Sequence, residues 1–515
     1  MASFLLITTT LLISYLIFII IFSITNNKKK NNNNNKVHGL PLPPGPKGWP
    51  LLGNLPQIGS KPHETLHKLS KTYGSLFRLR FGSVTVIVAS SVDVASQFLR
   101  ALDTNFSNRP PSSHAEHIAY NYSNIIFSPY GPQWRMLRRV STTHLLSTKA
   151  LEDMSHVREK EAAFMVNRLR RAENSTAGVV VGKEVNVCVA NALTNAMFGR
   201  RMFGDGDGGE FKDMVVEIMK LSAAFNISDF MPWLKPLDIQ GLVGRMKRVH
   251  NWFDDLINKI IEERKIEGGR ADFLSVLLQQ KENPSGDQET KLTDGNIKAL
   301  LLDMFVGGTD TTSSTVEWAL VELIRHPDIL VAVQKELDSI VGLSRLVKDV
   351  DLVNVPILQA VIKETFRLHP PVPLLIPHTA SEACEVAGYY IPKDATLLVN
   401  TWTICRDPEV YPRPLEFDPS RFLPGGKQAD VDLKGSHMEL MPFGSGRRIC
   451  VGMRLGLRML SFLVANLAHG FDWALPNGLK PEDLNMDVEF GLTLERTVPL
   501  VARPIPRLDP KAYVV

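Results

Sequence analysis

"FGSGRRICVG", Phe443 to Gly452, sets three glycines and two arginines around one cysteine near the C-terminal end of the chain. Two readings are open. A buried structural thiol after a turn asks only for backbone freedom. A loop that presents a thiolate asks for more. Gly444, Gly446 and Gly452 permit positive φ and close approach of backbone amides to sulfur, and Arg447 and Arg448 bring positive charge that favours the ionised form. The following stretch, "MRLGLRMLSFLVANLAHGF", is helical in period. Cys450 therefore lies just before a helix N-terminus, where the macrodipole also favours an anion.

The rest of the chain bounds the choice. With 515 residues, 44% hydrophobic and 22% charged, the composition is globular and the length ample for a large core. A length rule of roughly 150 residues per domain suggests about three domains. Net charge is only +4, from 58 basic and 54 acidic residues, so no nucleic-acid surface is expected. The cysteines at 188, 384, 405 and 450 form no CxxC pair and no zinc-like cluster. Few and scattered thiols suit a reducing compartment. The N-terminus differs: Phe4 to Ile24 is 21 residues without a charge, and about 20 helical residues span a bilayer core. Lys28 to Lys30 follow the apolar run, and flanking lysines stay on the cytoplasmic side. This predicts an uncleaved anchor over 1–25 with a cytosolic body, in preference to a cleaved signal.

Asn26 to Lys36 reads as a polar tether, and "PLPPGPKGWP", Pro41 to Pro50, as a stiff extended hinge. Leu76 to Ser90 alternates apolar residues about Gly82 and Ser83, a β-hairpin pattern. Most of the remainder is helical in period, with loops at Gly204, Glu267 and Asn283. The clearest helix runs from Thr293, a candidate N-cap, to Pro327, more than 30 residues on.

Inside that helix Gly307 and Gly308 each cost about 0.8–1 kcal/mol relative to alanine. Either they permit close helix packing, or they open a notch beside Asp310 and Thr311. The Thr311 hydroxyl can reach the Gly307 carbonyl one turn back and bend the helix. Glu364 and Arg367 share a helix face at i, i+3, a pair usually solvated and worth ~0.2–0.5 kcal/mol; Arg421 of "FDPSRF" could complete a buried network if the chain folds back. Trp134 and Arg138 share another face. They are either the basic side of an amphipathic helix or an indole N–H and a guanidinium converging on a carboxylate.

Taken together these stretches resemble the cytochrome P-450 superfamily. "FGSGRRICVG" is similar to its haem-binding loop, "GGTDTT" to its oxygen-activating helix, "KETFR" to its E-x-x-R helix, "FDPSRF" to its partner arginine loop, "WRMLR" to its W-x-x-x-R and "PPGP" to its hinge, all in the family order. The resemblance implies a mainly α haem-thiolate fold with a small β region, a single catalytic domain over 51–515 behind a transmembrane helix (1–25) and a tether and hinge (26–50). It implies haem b with Cys450 as iron ligand. Trp134, Arg138, His378 and Arg448 would hold the propionates and Phe443 would be a further haem-binding residue. Asp310 and Thr311 would deliver protons, and Glu364, Arg367 and Arg421 would form the structural triad. Ser420 stands where the family often has Glu.

Further stretches, among them "NFSNRPP" from Asn105, "HIAYNYSNIIFSPYGPQWRMLRRVS" from His117 and "NMDVEFGLTLERTVPL" from Asn485, resemble the flavonoid 3′-hydroxylase group of plant endoplasmic-reticulum enzymes. That implies NADPH-derived electrons through a cytochrome P-450 reductase, O2, and a small apolar aromatic substrate of the naringenin, dihydrokaempferol or apigenin type. Ile118, Tyr120, Gly307, Gly308, Val372, Leu375, Ile376, Phe490 and Leu492 would line the pocket, where Val372, Leu375 and Ile376 are bulkier than is usual in the group. Oxidation of another phenylpropanoid, an alkaloid or a terpenoid, or a haem-thiolate isomerase or dehydratase reaction, stays open.

Overall fold

The computed structural model describes residue 14 and residues 39–514 apart from 174, 176, 204–208, 268–271 and 284–290. The expected anchor (Phe4 to Ile24), the polar tether and most of the three insertion loops lie outside the described residues. Among the described residues no helix is long and apolar enough to cross a membrane.

The expected hairpin forms from β1 (Leu76–Phe81) and β2 (Val84–Ala89), antiparallel with Leu76 opposite Ala89. Gly82 makes the turn at φ +56, and a Cβ there would stand 2.4 Å from the Phe230 carbonyl oxygen. With β3 (His378–Thr379) and β4 (Thr396–Val399) the hairpin builds a sheet of order β1-β2-β4-β3. β2 pairs with β4 in parallel and β3 with β4 antiparallel. Val86 to Ala89 are buried on both faces, as expected for a strand inside the sheet. The proline-rich stretch is extended as expected and lies against β1: Arg78 N donates to the Pro44 carbonyl at 2.7 Å, and a Cβ on Gly45 would sit 1.9 Å from the Arg78 oxygen. These parts belong to one compact unit, made of residues up to Pro110, Ile227–Leu237 and Leu374–Ile404.

The second unit comprises Pro111–Asn226, Asp238–Pro373 and Cys405–Val515. Its helices include α1 (Pro132–His144), α2 (Val181–Phe198), α3 (Leu242–Glu267), α4 (Asp294–Gly308), α5 (Asp310–Arg325), α6 (Pro356–Leu368) and α7 (Met453–Gly470). A hairpin of β5 (Val488–Phe490) and β6 (Leu494–Arg496) and a three-stranded antiparallel sheet centred on Val501–Pro506 complete it. α5 is almost wholly buried, with Val316, Ala319, Leu320, Val321 and Leu323 at the centre of the core.

The long helix predicted from Thr293 divides in two. Its start is as expected: Thr293 Oγ1 accepts from Asn296 N at 3.1 Å while Asn296 Oδ1 accepts from Thr293 N, a capping box. The break is at Thr309, φ −84 and ψ −73. Around it the hydroxyls of Thr309, Thr311, Ser313 and Thr315 each donate to the carbonyl one turn back, at 3.0, 2.8, 3.1 and 2.6 Å. Back-bonding of this kind competes with the helix ladder and bends it. The two glycines answer to different causes. A Cβ on Gly308 would stand 2.8 Å from Leu193 of α2, whereas one on Gly307 would meet nothing within 4 Å. Close packing accounts for Gly308, and the open notch belongs to Gly307.

Candidate active site

The cysteine loop closes on itself through Cys450 N, which donates to the Phe443 carbonyl at 2.9 Å. Gly444 and Gly446 adopt φ of +72 and +70, a region L side chains disfavour, and α7 begins three residues after the cysteine. The amides of Gly452 and Met453 and the Arg138 guanidinium favour the thiolate, while burial pushes the thiol up more strongly. Cys450 is nonetheless the exposed cysteine of the four; Cys188 and Cys405 are buried. A side chain at the floor of a concavity meets both descriptions, surrounded by protein yet open on one side. The Phe443 ring packs on Gly456 of α7, 3.6 Å from where a Cβ would be, and edge-on to Phe366 at 5.3 Å.

Trp134 and Arg138, one turn apart on α1, meet Arg448 as expected. The two guanidinium carbons lie 5.4 and 4.8 Å from the indole centroid, a cation–π arrangement on both counts. The indole N–H donates to the Ile125 carbonyl at 3.0 Å, so the donors available to an anion are the guanidinium groups and not the indole. Arg138 Nη1 donates to the Ile449 carbonyl at 2.7 Å, and Arg448 donates to the carbonyls of Ile125 and Ser128. Burial, then the neighbouring Arg138, hold Arg448 down at about 10. Two like charges in a desolvated place make a locus that favours carboxylates.

On the helix that breaks at Thr309, Asp310 and Thr311 diverge. Thr311 Oγ1 turns back to Gly307, whereas Asp310 Oδ1 accepts from Asn186 Nδ2 of α2 at 3.1 Å, and the same amide reaches Ser313 at 3.3 Å. Burial pushes Asp310 up to about 6, with the charge of Glu495 adding to the rise and the Asn186 amide opposing it.

Glu364 and Arg367, a pairing that is usually solvated, are completely buried here. Arg367 grips Glu364 with two bonds of 2.7 Å. Arg421 Nε donates to the same carboxylate at 3.3 Å, and Asp418 N donates to it at 2.8 Å. The remaining Arg367 donors go to the carbonyls of Cys405, Pro414 and Glu416, so the chain does fold back onto the pair. Ser420 binds Asp418 and leaves this arrangement intact.

Of the pocket candidates in this unit, Gly307 is exposed and Tyr120, Gly308, Val372, Phe490 and Leu492 are partly so. Ile118 is 1% exposed and belongs to the core. Its side chain belongs to the same hydrophobic cluster as that of Ile125. Phe490 and Leu492 sit at the β5–β6 turn, which α5 holds through Ser314 and Trp318, both donating to the Leu494 carbonyl. Leu494 N in turn donates to the Pro371 carbonyl beside Val372. Tyr120, Asn121 and Tyr122 all have left-handed φ, +52, +49 and +60. Tyr120 donates to Asp254 of α3 at 3.0 Å. Leu375, Ile376 and His378 belong to the other unit. There Leu375 is buried at φ +50, Arg109 binds the carbonyls of Ile376 and Pro377, and His378 Nδ1 lies 2.6 Å from the Phe106 oxygen.

Sequence reasoning passed over Asn186, Ile125, Asp254 and Asp303. For Asp303 one signal existed, a lone acid inside the apolar run "ALLLDMFV".

Residues 43–498 match the family model of cytochrome P450. The chain belongs to the cytochrome P450 family. This P450 is 58% identical over 478 residues to a flavonoid 3′-monooxygenase of Crocosmia x crocosmiiflora, covering 92% of this chain and 94% of the relative. It is 53% identical over 484 residues to a flavonoid 3′-monooxygenase of Arabidopsis thaliana, covering 93% and 94%. A zebra fish cytochrome P450 structure with progesterone aligns with a TM-score of 0.74 at 26% identity, over 87% of this chain and 99% of that one.

Membership brings a thiolate-ligated haem and NADPH-derived electrons delivered through a reductase. The residues of this P450 fit that group: an accessible thiol supported by two amides, a buried and a half-buried guanidinium suited to propionates, and an open Gly307 one turn before Thr311.

Proposed function

We propose that this P450 hydroxylates the B-ring of flavonoids at the 3′ position. The observation that carries the reading is the 58% identity, along nearly the whole of both chains, to a flavonoid 3′-monooxygenase. In this reading Cys450 holds the iron, Arg138 and Arg448 take the propionates, and Trp134 orders both cations. Thiolate-ligated haem supplies the oxygen activation, because a thiolate pushes electron density that favours O–O cleavage. Thr311 Oγ, one turn from the open Gly307, presents a proton on the distal side. Asp310, held by Asn186 on α2 and raised by burial, would be a separate proton source that acts as a general acid. A planar, mostly apolar substrate rests against Val372, Phe490, Leu492 and Tyr120; for Leu375, Ile376 and His378 the assignment rests on the family pattern alone.

A flavonoid 3′,5′-hydroxylase of the same Crocosmia is 52% identical to this chain, which favours successive hydroxylation as the second reading. Incubating microsomes that contain this P450 and its reductase with NADPH and naringenin, dihydrokaempferol or apigenin separates the two. Catechol products support 3′-hydroxylation, trihydroxylated B-rings support the second reading, and neither from any substrate sinks both. The proposal places the P450 on the cytosolic face of the endoplasmic reticulum, anchored by residues 1–25, and treats 51–515 as one catalytic domain, in line with the family match.

A further inference from the structure

Asp303 lies in α4 one turn before Gly307 and two before Thr311, on the same face by i, i+4 spacing. It is buried among Leu300, Leu301, Leu302 and Phe305. An ionised carboxylate in such surroundings is costly unless hydrogen-bonded. Its partners are all amides of one segment: Ile125 N donates to Oδ2 at 2.7 Å, Asn124 Nδ2 to Oδ1 at 2.8 Å, and the Ile126 amide contributes. Two turns earlier on the same face Asn296 Nδ2 holds the Ser123 carbonyl at 3.0 Å.

The next peptide, from the Ile125 carbonyl to the Ile126 N–H, is engaged at both ends. Its carbonyl accepts from Trp134 at 3.0 Å and Arg448 at 3.2 Å. A peptide group is planar and stiff, and the Ile126 amide that also bonds to Asp303 shares its plane with the Ile125 carbonyl, so the carboxylate that holds this N–H also fixes the oxygen to which the indole and guanidinium are referred. On the opposite flank Tyr120 binds Asp254, which Lys298 and Asn258 also hold at 2.7 and 2.9 Å. Asp254 is partly exposed, and water can replace it. Nothing comparable replaces Asp303, because loss of its carboxylate leaves buried N–H groups unpaired.

We propose that Asp303 is a positioning residue for the hydroxylation, setting through the amides of Ile125 and Ile126 both the segment 118–126 beside the substrate and the Trp134, Arg138 and Arg448 cluster. The inference rests on the reading of that cluster and segment given above.

The test uses the full-length, haem-loaded P450 and its variants Asp303→Ala and Asp303→Asn. Each is checked by its carbon monoxide difference spectrum. Hydrogen exchange is read without substrate, and the spectral Kd for naringenin, KM and kcat with reductase and NADPH. In Asp303→Ala the Ile125 and Ile126 amides exchange faster by about tenfold or more, and Kd and KM rise about tenfold, the scale of one lost hydrogen bond to a charged group. kcat changes far less. Asp303→Asn recovers part of both effects, since its amide oxygen still accepts the Ile125 N–H. Unchanged exchange at 123–126 in either variant overturns the clamp, and faster exchange with unchanged Kd and KM overturns its link to substrate. If Asp303→Ala fails to load haem, Asp303→Asn carries both readouts. If the wild type itself neither binds nor converts naringenin, the flavonoid reading has failed, and exchange still decides whether Asp303 holds the segment.

Discussion

Asp310 and Thr311 are neighbours in sequence, yet one leans on Asn186 of α2 and the other on its own helix. That division assigns different failures to them. Thr311→Ala should leave NADPH consumption running while product falls and peroxide appears, measured as the ratio of product to NADPH oxidised. Asp310, pushed up to about 6, carries its proton below that pH and gives it up above. Asp310→Asn should therefore remove an inflection near pH 6 from the rate profile, and Asn186→Ala should move it upward, since the Asn186 amide now opposes the rise. The same sign governs stability. A carboxyl whose folded pKa is raised stabilises the fold below its unfolded value and loses that contribution as pH climbs through the folded one. Asp303, pushed up to about 7 mainly by burial, should thus depress thermal stability between about pH 4 and 7 with a slope near 1.4 kcal/mol per pH unit at most. Asp303→Asn should flatten that stretch of the melting-temperature curve. Cys450, Asp310 and the triad were singled out through the resemblance of their stretches to cytochrome P-450 motifs, since their own spacing left blander readings open. Asn186 was not, since an asparagine 124 positions from its partner leaves no mark on spacing or periodicity.

At the scale of elements, the two adjacent glycines make a paired experiment. Gly308→Ala drives a methyl toward Leu193 and should cost about 1–3 kcal/mol through overpacking, with most of it recovered in the Gly308→Ala/Leu193→Ala double variant. Gly307→Ala meets open space and should stabilise the helix by about 0.5–1 kcal/mol. It should also raise KM for a planar substrate. Chemical denaturation and steady-state kinetics on the three variants check both. The bend of this helix was readable from "GGTDTT"; its division at Thr309 was not, because it takes the summed pull of hydroxyls at 309, 311, 313 and 315. The hairpin at Gly82 and the capping box at Thr293 follow from local chemistry and formed as expected.

Over the whole molecule, the buried Glu364, Arg367 and Arg421 network ties α6 to the stretch from Cys405 to Arg421 that leads toward the cysteine loop. Glu364→Gln leaves a desolvated guanidinium short of its partner and should cost about 3–5 kcal/mol, seen as loss of haem loading on expression. Its burial was illegible because an i, i+3 pair looks the same on a wet face and a dry one; only the return of the chain through Pro414 and Glu416 distinguishes them. Deleting residues 1–25 should shift the P450 from the microsomal pellet toward the supernatant with its thiolate spectrum intact.

A left-handed conformation costs an L-residue roughly 1–2 kcal/mol, and Tyr120, Asn121 and Tyr122 adopt it in succession. This piece of chain therefore stands in its place under load, like a bent spring pinned at one side by Asp254 and at the other by Asp303. Whichever pin lets go first, the stored free energy favours departure of this segment over its return.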